Sequence, residues 1–195
     1  MRYCLAVATL CTTLLLNWAA AGAGVLYKVD PGFARIGFSV DNLGGLFSTT
    51  GQFSDFSGQL LLDQDSPANS HVDVTARAGS VSTGWGAADD MLQSVDYLDP
   101  ARYPELRFVS ERIEVLGPDH ARLHGRLTLR GVTLPQTFDA RLLGRHDEPG
   151  LGPIADYVVE GQVKRDDFGM VADHPLVAPT ITVRIAAHIR LEPVP

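Results

Sequence analysis

Cysteine is absent beyond residue 11: the chain's two cysteines are Cys4 and Cys11. That excludes a disulfide framework, a thiolate nucleophile and a cysteine metal site from everything downstream. Cys11 does not suit lipid attachment either, because Leu10 and not a small residue precedes it. Positive charge is also scarce, with 16 Lys and Arg against 23 Asp and Glu and a net charge of −7. A scattered acidic surface argues against nucleic acid or an anionic membrane as partner. The chain has no Gly-x-Ser-x-Gly elbow and no phosphate-binding glycine loop, since Gly22-Ala23-Gly24 belongs to the N-terminal segment.

One long apolar run exists, over 5–18, and its surroundings define it. Arg2 supplies a positive start. Small residues follow, and Ala19-Ala20-Ala21 and Ala21-Gly22-Ala23 both fit a small-x-small cleavage rule. This is the layout of a secretory signal peptide over 1–23, with cleavage expected after Ala21 or Ala23. A membrane anchor fits less well, because the run is short and no positive stop-transfer cluster follows. The mature chain, 24–195, is then expected to be one domain without linker or repeat. It carries 15 basic against 23 acidic residues, net −8, and is long enough to bury a core without disulfides.

The mature chain alternates with period two almost throughout. Ile181, Val183, Ile185, Ala187, Ile189 and Leu191 interleave with Thr182, Arg184, Ala186, His188, Arg190 and Glu192, the pattern of a long half-buried strand. Leu123, Gly125, Leu127 and Leu129 repeat it against Arg122, His124, Arg126, Thr128 and Arg130. Further strands are expected at 26–30, 35–42, 47–55, 57–63, 70–81, 105–116, 137–145 and 154–164. Turn residues at Pro31-Gly32, Gly44-Gly45, Gly117-Pro118-Asp119 and Gly131 separate them. The stretch 86–94 lacks β-branched residues and suits a short helix. Many long antiparallel strands leave a sandwich or a closed barrel, and strands of this length favour closure, which removes exposed edges.

Chemistry has few footholds. Of the six histidines, His120 and His124 are four apart, but along a strand that spacing is roughly 13 Å, too far for one metal ion. His71 with Asp73 reads as a solvent-facing alternation. Ser54 and Ser57 flank Asp55 without a partnering histidine, and the side chains of Asp89-Asp90 and Asp166-Asp167 are expected to diverge. Neither a metal, a cofactor nor an enzymatic centre is expected. The residues with the clearest prospects are apolar: Ile36, Phe38, Val40, Phe53, Phe56, Leu92, Phe108, Leu127, Leu129, Phe138, Phe168 and Met170 are candidates for an inward face. They either line a ligand cavity or simply pack a core.

Four blocks carry a resemblance. Tyr27-Lys28-Val29-Asp30-Pro31 with Phe38-Ser39-Val40 and Leu43-Gly44 comes first. Ser94-Val95-Asp96-Tyr97-Leu98-Asp99 with Tyr103-Pro104-Glu105-Leu106-Arg107-Phe108 is second. Gly125-Arg126-Leu127-Thr128-Leu129-Arg130-Gly131-Val132-Thr133 and Arg165-Asp166-Asp167-Phe168-Gly169-Met170 complete the set. In this order, over nearly the whole mature chain, they resemble the YceI-like family. The resemblance implies an all-β, lipocalin-like antiparallel barrel of about eight strands with a short helical insertion. It further implies a periplasmic protein that sequesters or carries an isoprenoid lipid, a polyisoprenoid or an isoprenoid quinone, without stable membrane insertion after signal cleavage. A second copy of the chain, as a homodimer, is a further partner to consider. The alternative is a stress-related interaction or structural module whose barrel is filled by side chains and holds no lipid. The chain departs from the family at Phe33 and Asp41, where members often carry histidine, and at Ala88 and Met91, where arginine and histidine are common. Those departures point to a more apolar ligand.

Overall fold

A computed structural model describes residues 24–190, apart from Gln64, Leu151 and the side chain of Arg190; the expected signal segment lies outside the described residues. Among the described residues, eleven strands and one α-helix follow in order. They are β1 (Val25–Val29), β2 (Ala34–Asn42), β3 (Phe47–Phe53), β4 (Phe56–Leu62), β5 (His71–Arg77), β6 (Val81–Ser82), α1 (Gly86–Leu92), β7 (Glu105–Gly117), β8 (His120–Leu129), β9 (Val132–Glu148), β10 (Gly152–Lys164) and β11 (Val177–Arg190). Every pairing is antiparallel, in the order β1-β4-β5-β7-β8-β9-β10-β11-β2-β3-β6.

This order describes eight strand runs rather than eleven independent strands. β1 and β2, β3 and β4, and β5 and β6 are consecutive segments divided by short bends. At the first bend the Ala34 N–H donates to the Asp30 carbonyl at 2.9 Å. At the others the Arg77 N–H donates to Asp55 O at 2.9 Å and the Ser54 N–H to Ser80 O at 3.2 Å. The first run pairs with the second through both of its halves, Tyr27 opposite Leu60 and Phe38 opposite Gly51. It pairs with the last run through Ile36 opposite Ile185. The meander therefore curls back onto its own first strand, and the expected lipocalin-like barrel of about eight strands with a short helix is what forms. The bends let long strands turn a barrel corner without leaving backbone groups unpaired.

Strand limits differ from the sequence expectation where backbone geometry intervenes. The expected 70–81 strand is broken by a 3-10 turn at Ala78–Ser80, and the expected 137–145 strand extends to Val132–Glu148. Asp166 and Asp167, expected to diverge on a strand, lie instead on a 3-10 turn, Arg165–Phe168, that ends at Gly169 with φ +76°. Glycine is suited to that left-handed conformation, which redirects the chain toward β11.

Up-and-down order sorts the connections to two ends. The β2–β3, β8–β9 and β10–β11 connections gather at one end with α1 and its flanks; the β4–β5, β7–β8 and β9–β10 turns gather at the other. The α1 end is tied shut by side chains. In the β8–β9 turn Arg130 and Gly131 both have positive φ, +50° and +73°, the signature of a two-residue hairpin turn matched to strand twist. The Arg130 guanidinium then donates to the carbonyls of Val95, Asp96 and Gly169 at 3.0–3.2 Å. Asp89 on α1 accepts from the Thr83 N–H at 2.6 Å, the Thr83 hydroxyl at 2.7 Å and the Ser82 hydroxyl at 3.1 Å. These bonds, the Thr83 hydroxyl foremost, hold its carboxyl below the ordinary carboxylate value.

Buried residues form two clusters. Ala78, Val81, Leu98, Ile113, Leu123, Leu129, Phe138, Val163, Phe168 and Met170 make one. Tyr27, Val29, Ala34, Ile36, Phe56, Ala76, Ala187 and Ile189 make the other.

Candidate ligand-binding site

The barrel encloses a cavity of about 470 Å³ lined from every strand run. Close packing normally leaves voids little larger than a water molecule, so the interior is not filled by side chains. The volume falls in the usual range of small-molecule sites.

Ten of the twelve candidates line this cavity: Ile36, Phe38 and Val40 on β2, Phe53 on β3, Leu92 on α1, Phe108 on β7, Leu127 and Leu129 on β8, Phe138 on β9, and Met170 beyond the 3-10 turn. Two do not. Phe56 is 4% exposed and packs in the Tyr27 cluster; Phe168 is 3% exposed and packs among Leu98, Leu129 and Met170. Neither borders the cavity: Phe56 shares the inward alternation of Leu60 and Leu62 but, at the bend and opposite Ala76, is packed within the Tyr27 cluster, and Phe168 sits on a turn, where period two does not apply. The expectation that Phe38, Phe108, Phe138 and Phe168 share one lumen is corrected to the first three.

Several lining residues escape the sequence reading although their signal is present. Ile181, Val183, Ile185, Ala187 and Ile189 all border the cavity, and they are the apolar half of the cleanest alternation in the chain. Leu123 does likewise. Tyr157 and Val159 border it too, and here a bulge between Asp156 and Tyr157 shifts the register against β9, which no sequence signal announces.

Polar groups in the lining have protein partners. Arg165, 1% exposed, donates from Nε to Ala178 O at 3.0 Å, from Nη1 to Met170 O at 2.8 Å, and from Nη2 to Ala172 O at 2.7 Å and Val177 O at 3.2 Å. Four carbonyls thus satisfy a buried guanidinium at the α1 end. Its carbon lies 6.0 Å from the centre of the Tyr97 ring. The Tyr97 hydroxyl donates to Asp173. Burial, with the Asp173 carboxylate, pushes the phenol up to about 12. The Ser70 Oγ accepts the Asp63 N–H at 3.0 Å. Arg107 pairs with Asp73. Burial raises the Tyr157 phenol, against the neighbouring Arg145.

The two ends of the cavity differ in access. Near α1 the lining residues Tyr97, Leu98, Arg165 and Met170 are buried. At the far end Pro67, Val115, Pro118, Asp119 and Arg145 line the cavity and are exposed to solvent. The geometry is that of a tunnel closed near the helix and open at the β7–β8 turn.

His120 and His124 are engaged separately, whereas His146 and His188 share the Asp156 carboxylate. His120 Nε2 stands 3.3 Å from Asp139 Oδ1 and His124 Nε2 2.8 Å from Glu114 Oε2. Among the described residues no group of three or more His, Cys, Asp or Glu is placed to hold a metal ion, and no helix is long and apolar enough to cross a membrane.

A meandering antiparallel barrel around an apolar tunnel open at one end defines a lipocalin-like barrel protein with a ligand-sized cavity. Comparison with known proteins gives the particular family. The YceI-like domain model matches residues 27–189, and the chain belongs to that family. Protein YceI of Escherichia coli O157:H7 is 37% identical over 158 residues, covering 79% of this chain and 82% of that protein. Among solved structures, Burkholderia cenocepacia BcnA superposes with a TM-score of 0.73 at 21% identity, covering 81% of this chain and 97% of BcnA. A domain from Saccharophagus degradans described as polyisoprenoid-binding, and implicated in plant cell wall breakdown, matches with a TM-score of 0.59 at 14% identity over 86% of this chain and 98% of that domain.

Proposed function

We propose that this protein is exported to the periplasm and there carries or stores an isoprenoid lipid, a polyisoprenoid or an isoprenoid quinone, without catalysing a reaction on it. The observation that carries the reading is the 470 Å³ apolar cavity inside the barrel. A side-chain-filled module would not maintain such a space. Family membership and the polyisoprenoid-binding description of the Saccharophagus domain favour the same ligand class. The signal-like segment over 1–23 supports export.

Mechanism here means exchange of environment. An isoprenoid tail in water orders or displaces solvent along its length; in the tunnel its neighbours are Ile36, Phe38, Phe108, Leu127, Val159 and Val183. Each methylene-sized group transferred contributes roughly 0.8 kcal/mol. About ten such groups give roughly 8 kcal/mol before ordering costs, enough for useful affinity without a charged contact. The tail enters at the open end, past Val115 and Pro118, and its tip rests against the closed end at Leu92, Leu98 and Met170. Because Arg165 and Tyr97 have their polar atoms committed to protein partners, the closed end offers the tail apolar surface. The experiment that tests the reading is identification of the lipid that accompanies the protein isolated from its own cells.

A further inference from the structure

Three of the inward-facing aromatics share an arrangement. Phe38 on β2 stands directly opposite Gly51 on β3. Phe138 on β9 lies one position beyond the Asp139–Glu160 pair, beside Gly161 on β10. Phe108 on β7 is diagonal to Gly125 on β8, whose direct partner is Ser110. All three glycines are thus on the same face as their phenylalanine, the tunnel face. A Cβ built on Gly51 would fall 2.6 Å from Phe38 Cε1; one on Gly125, 2.7 Å from Phe108 Cζ; one on Gly161, 2.9 Å from Phe138 Cε1. Real Cβ atoms do not approach ring carbons that closely. Each ring therefore occupies the space that the neighbouring strand's side chain would fill, lying along the wall instead of standing across the lumen.

Glycine is a poor residue inside a strand, and where it occurs it marks a close approach. Aromatic rings folded over such glycines cover the gap they leave in the sheet. Here the covering has a second consequence. With the wall position blocked, a ring attached at the same Cα has only the other staggered rotamers, and those bring it off the wall toward the tunnel axis. Phe108 and Phe138 form an edge-to-face pair with centroids 5.0 Å apart, and Phe38 lies 6.0 Å from Phe53, so displacement of one ring also pushes on another lining aromatic.

We infer that Gly51, Gly125 and Gly161 are specificity-determining residues: by receiving the rings of Phe38, Phe108 and Phe138 they set a bore wide enough for a methyl-branched chain. This rests on the isoprenoid reading for its ligand class. An unbranched chain is narrower and tolerates a ring that intrudes; a chain with a methyl at every fourth carbon does not.

The test uses Gly161→Ala and Gly51→Ala in the delipidated mature protein. Gly125→Ala is left aside because the Val109 carbonyl oxygen lies even closer to the new methyl than the ring does, so the backbone itself would be strained. Two probes are measured by equilibrium dialysis, farnesol for a branched chain and 1-hexadecanol for an unbranched one, together with a crystal structure of Gly161→Ala. The expected result is a displaced Phe138 ring and a farnesol Kd raised at least about tenfold, equivalent to roughly 1.4 kcal/mol, with a much smaller change for hexadecanol. Gly161→Ala combined with Phe138→Ala should regain farnesol, since the ring that blocked the bore is gone; this double variant also covers the case in which Gly161→Ala alone does not fold. An undisplaced ring, equal weakening of both probes, or a double variant that fails to fold or to regain farnesol would each overturn the inference. Failure of the unsubstituted protein to bind farnesol while it binds hexadecanol would instead refute the isoprenoid reading, and the ring position would still decide the role of the glycines.

Discussion

Phe108 and Phe168 offer a matched perturbation, because both are phenylalanines of the barrel and only Phe108 borders the tunnel. Replacing Phe168 by Asp removes a ring packed among Leu98, Leu129, Val163 and Met170. Loss of a buried phenylalanine alone costs about 3–5 kcal/mol. The new carboxylate has no water and no partner, which adds several kcal/mol more. The sum reaches the range of about 5–15 kcal/mol that typically separates folded from unfolded chains, so Phe168→Asp should be largely unfolded at room temperature. Phe108→Asp removes a half-buried ring and its edge-to-face contact with Phe138, but its carboxylate faces a space that water can enter. A loss of about 2–3 kcal/mol follows, and a melting temperature lower by roughly 5–10 °C for a domain of this size. With a lipid tail in place that water must leave, and the affinity should fall at least about a hundredfold, roughly 2.7 kcal/mol. Circular-dichroism melts and farnesol dialysis on both variants measure this. A folded Phe168→Asp, or a Phe108→Asp that binds farnesol within a few-fold of the parent, would refute the assignment of lumen and wall.

Two further outcomes follow from the closed end. Arg165→Met leaves the carbonyls of Met170, Ala172, Val177 and Ala178 without their donor and should cost about 3–5 kcal/mol, read by urea denaturation, whereas Arg184→Ala, which breaks an exposed pair with Glu160, should cost less than about 1 kcal/mol; equal effects would contradict the structural role of Arg165. Absorbance titration at high pH should show one tyrosine ionising near 12, held up first by burial and then by Asp173, and absent in Tyr97→Phe. Because this phenol's folded value is raised, its neutral form contributes stability in full below the ordinary value of 10, and that contribution is lost as pH climbs from 10 through 12.

The sequence is most informative where alternation is strict. The interleaving of Ile181 to Ile189 with polar neighbours reads directly as β11 with its tunnel face, because a strand's side-chain period is fixed at two. Turn chemistry likewise marks Gly131 and the β8–β9 hairpin. Legibility ends where the backbone departs from regular geometry. The bends that divide three runs, the bulge at Asp156–Tyr157 and the 3-10 turn at Arg165 each change which residues face inward without changing composition, so Phe168 looks like a lining residue and is not, while Phe56 keeps the inward alternation of Leu60 and Leu62 and is instead packed into the core. Arg165 is hidden for another reason: its partners are carbonyl oxygens, and no side chain in the sequence reports where carbonyls converge. The glycines opposite Phe38 and Phe138 become meaningful only once strand register is known, since they lie 13 and 23 positions away in the chain.

The central claim, that the tunnel holds an isoprenoid lipid in a periplasmic protein, is tested most directly by isolating the untagged protein from the periplasm of its own cells. Native mass spectrometry gives the intact and lipid-bound masses, and organic extraction followed by fragmentation identifies what is released. The account predicts a polypeptide beginning at Gly22 or Gly24, accompanied by one lipid per chain whose fragments are spaced by isoprene units. A chain that retains Met1, or one that carries no lipid or only unbranched acyl chains, would contradict it.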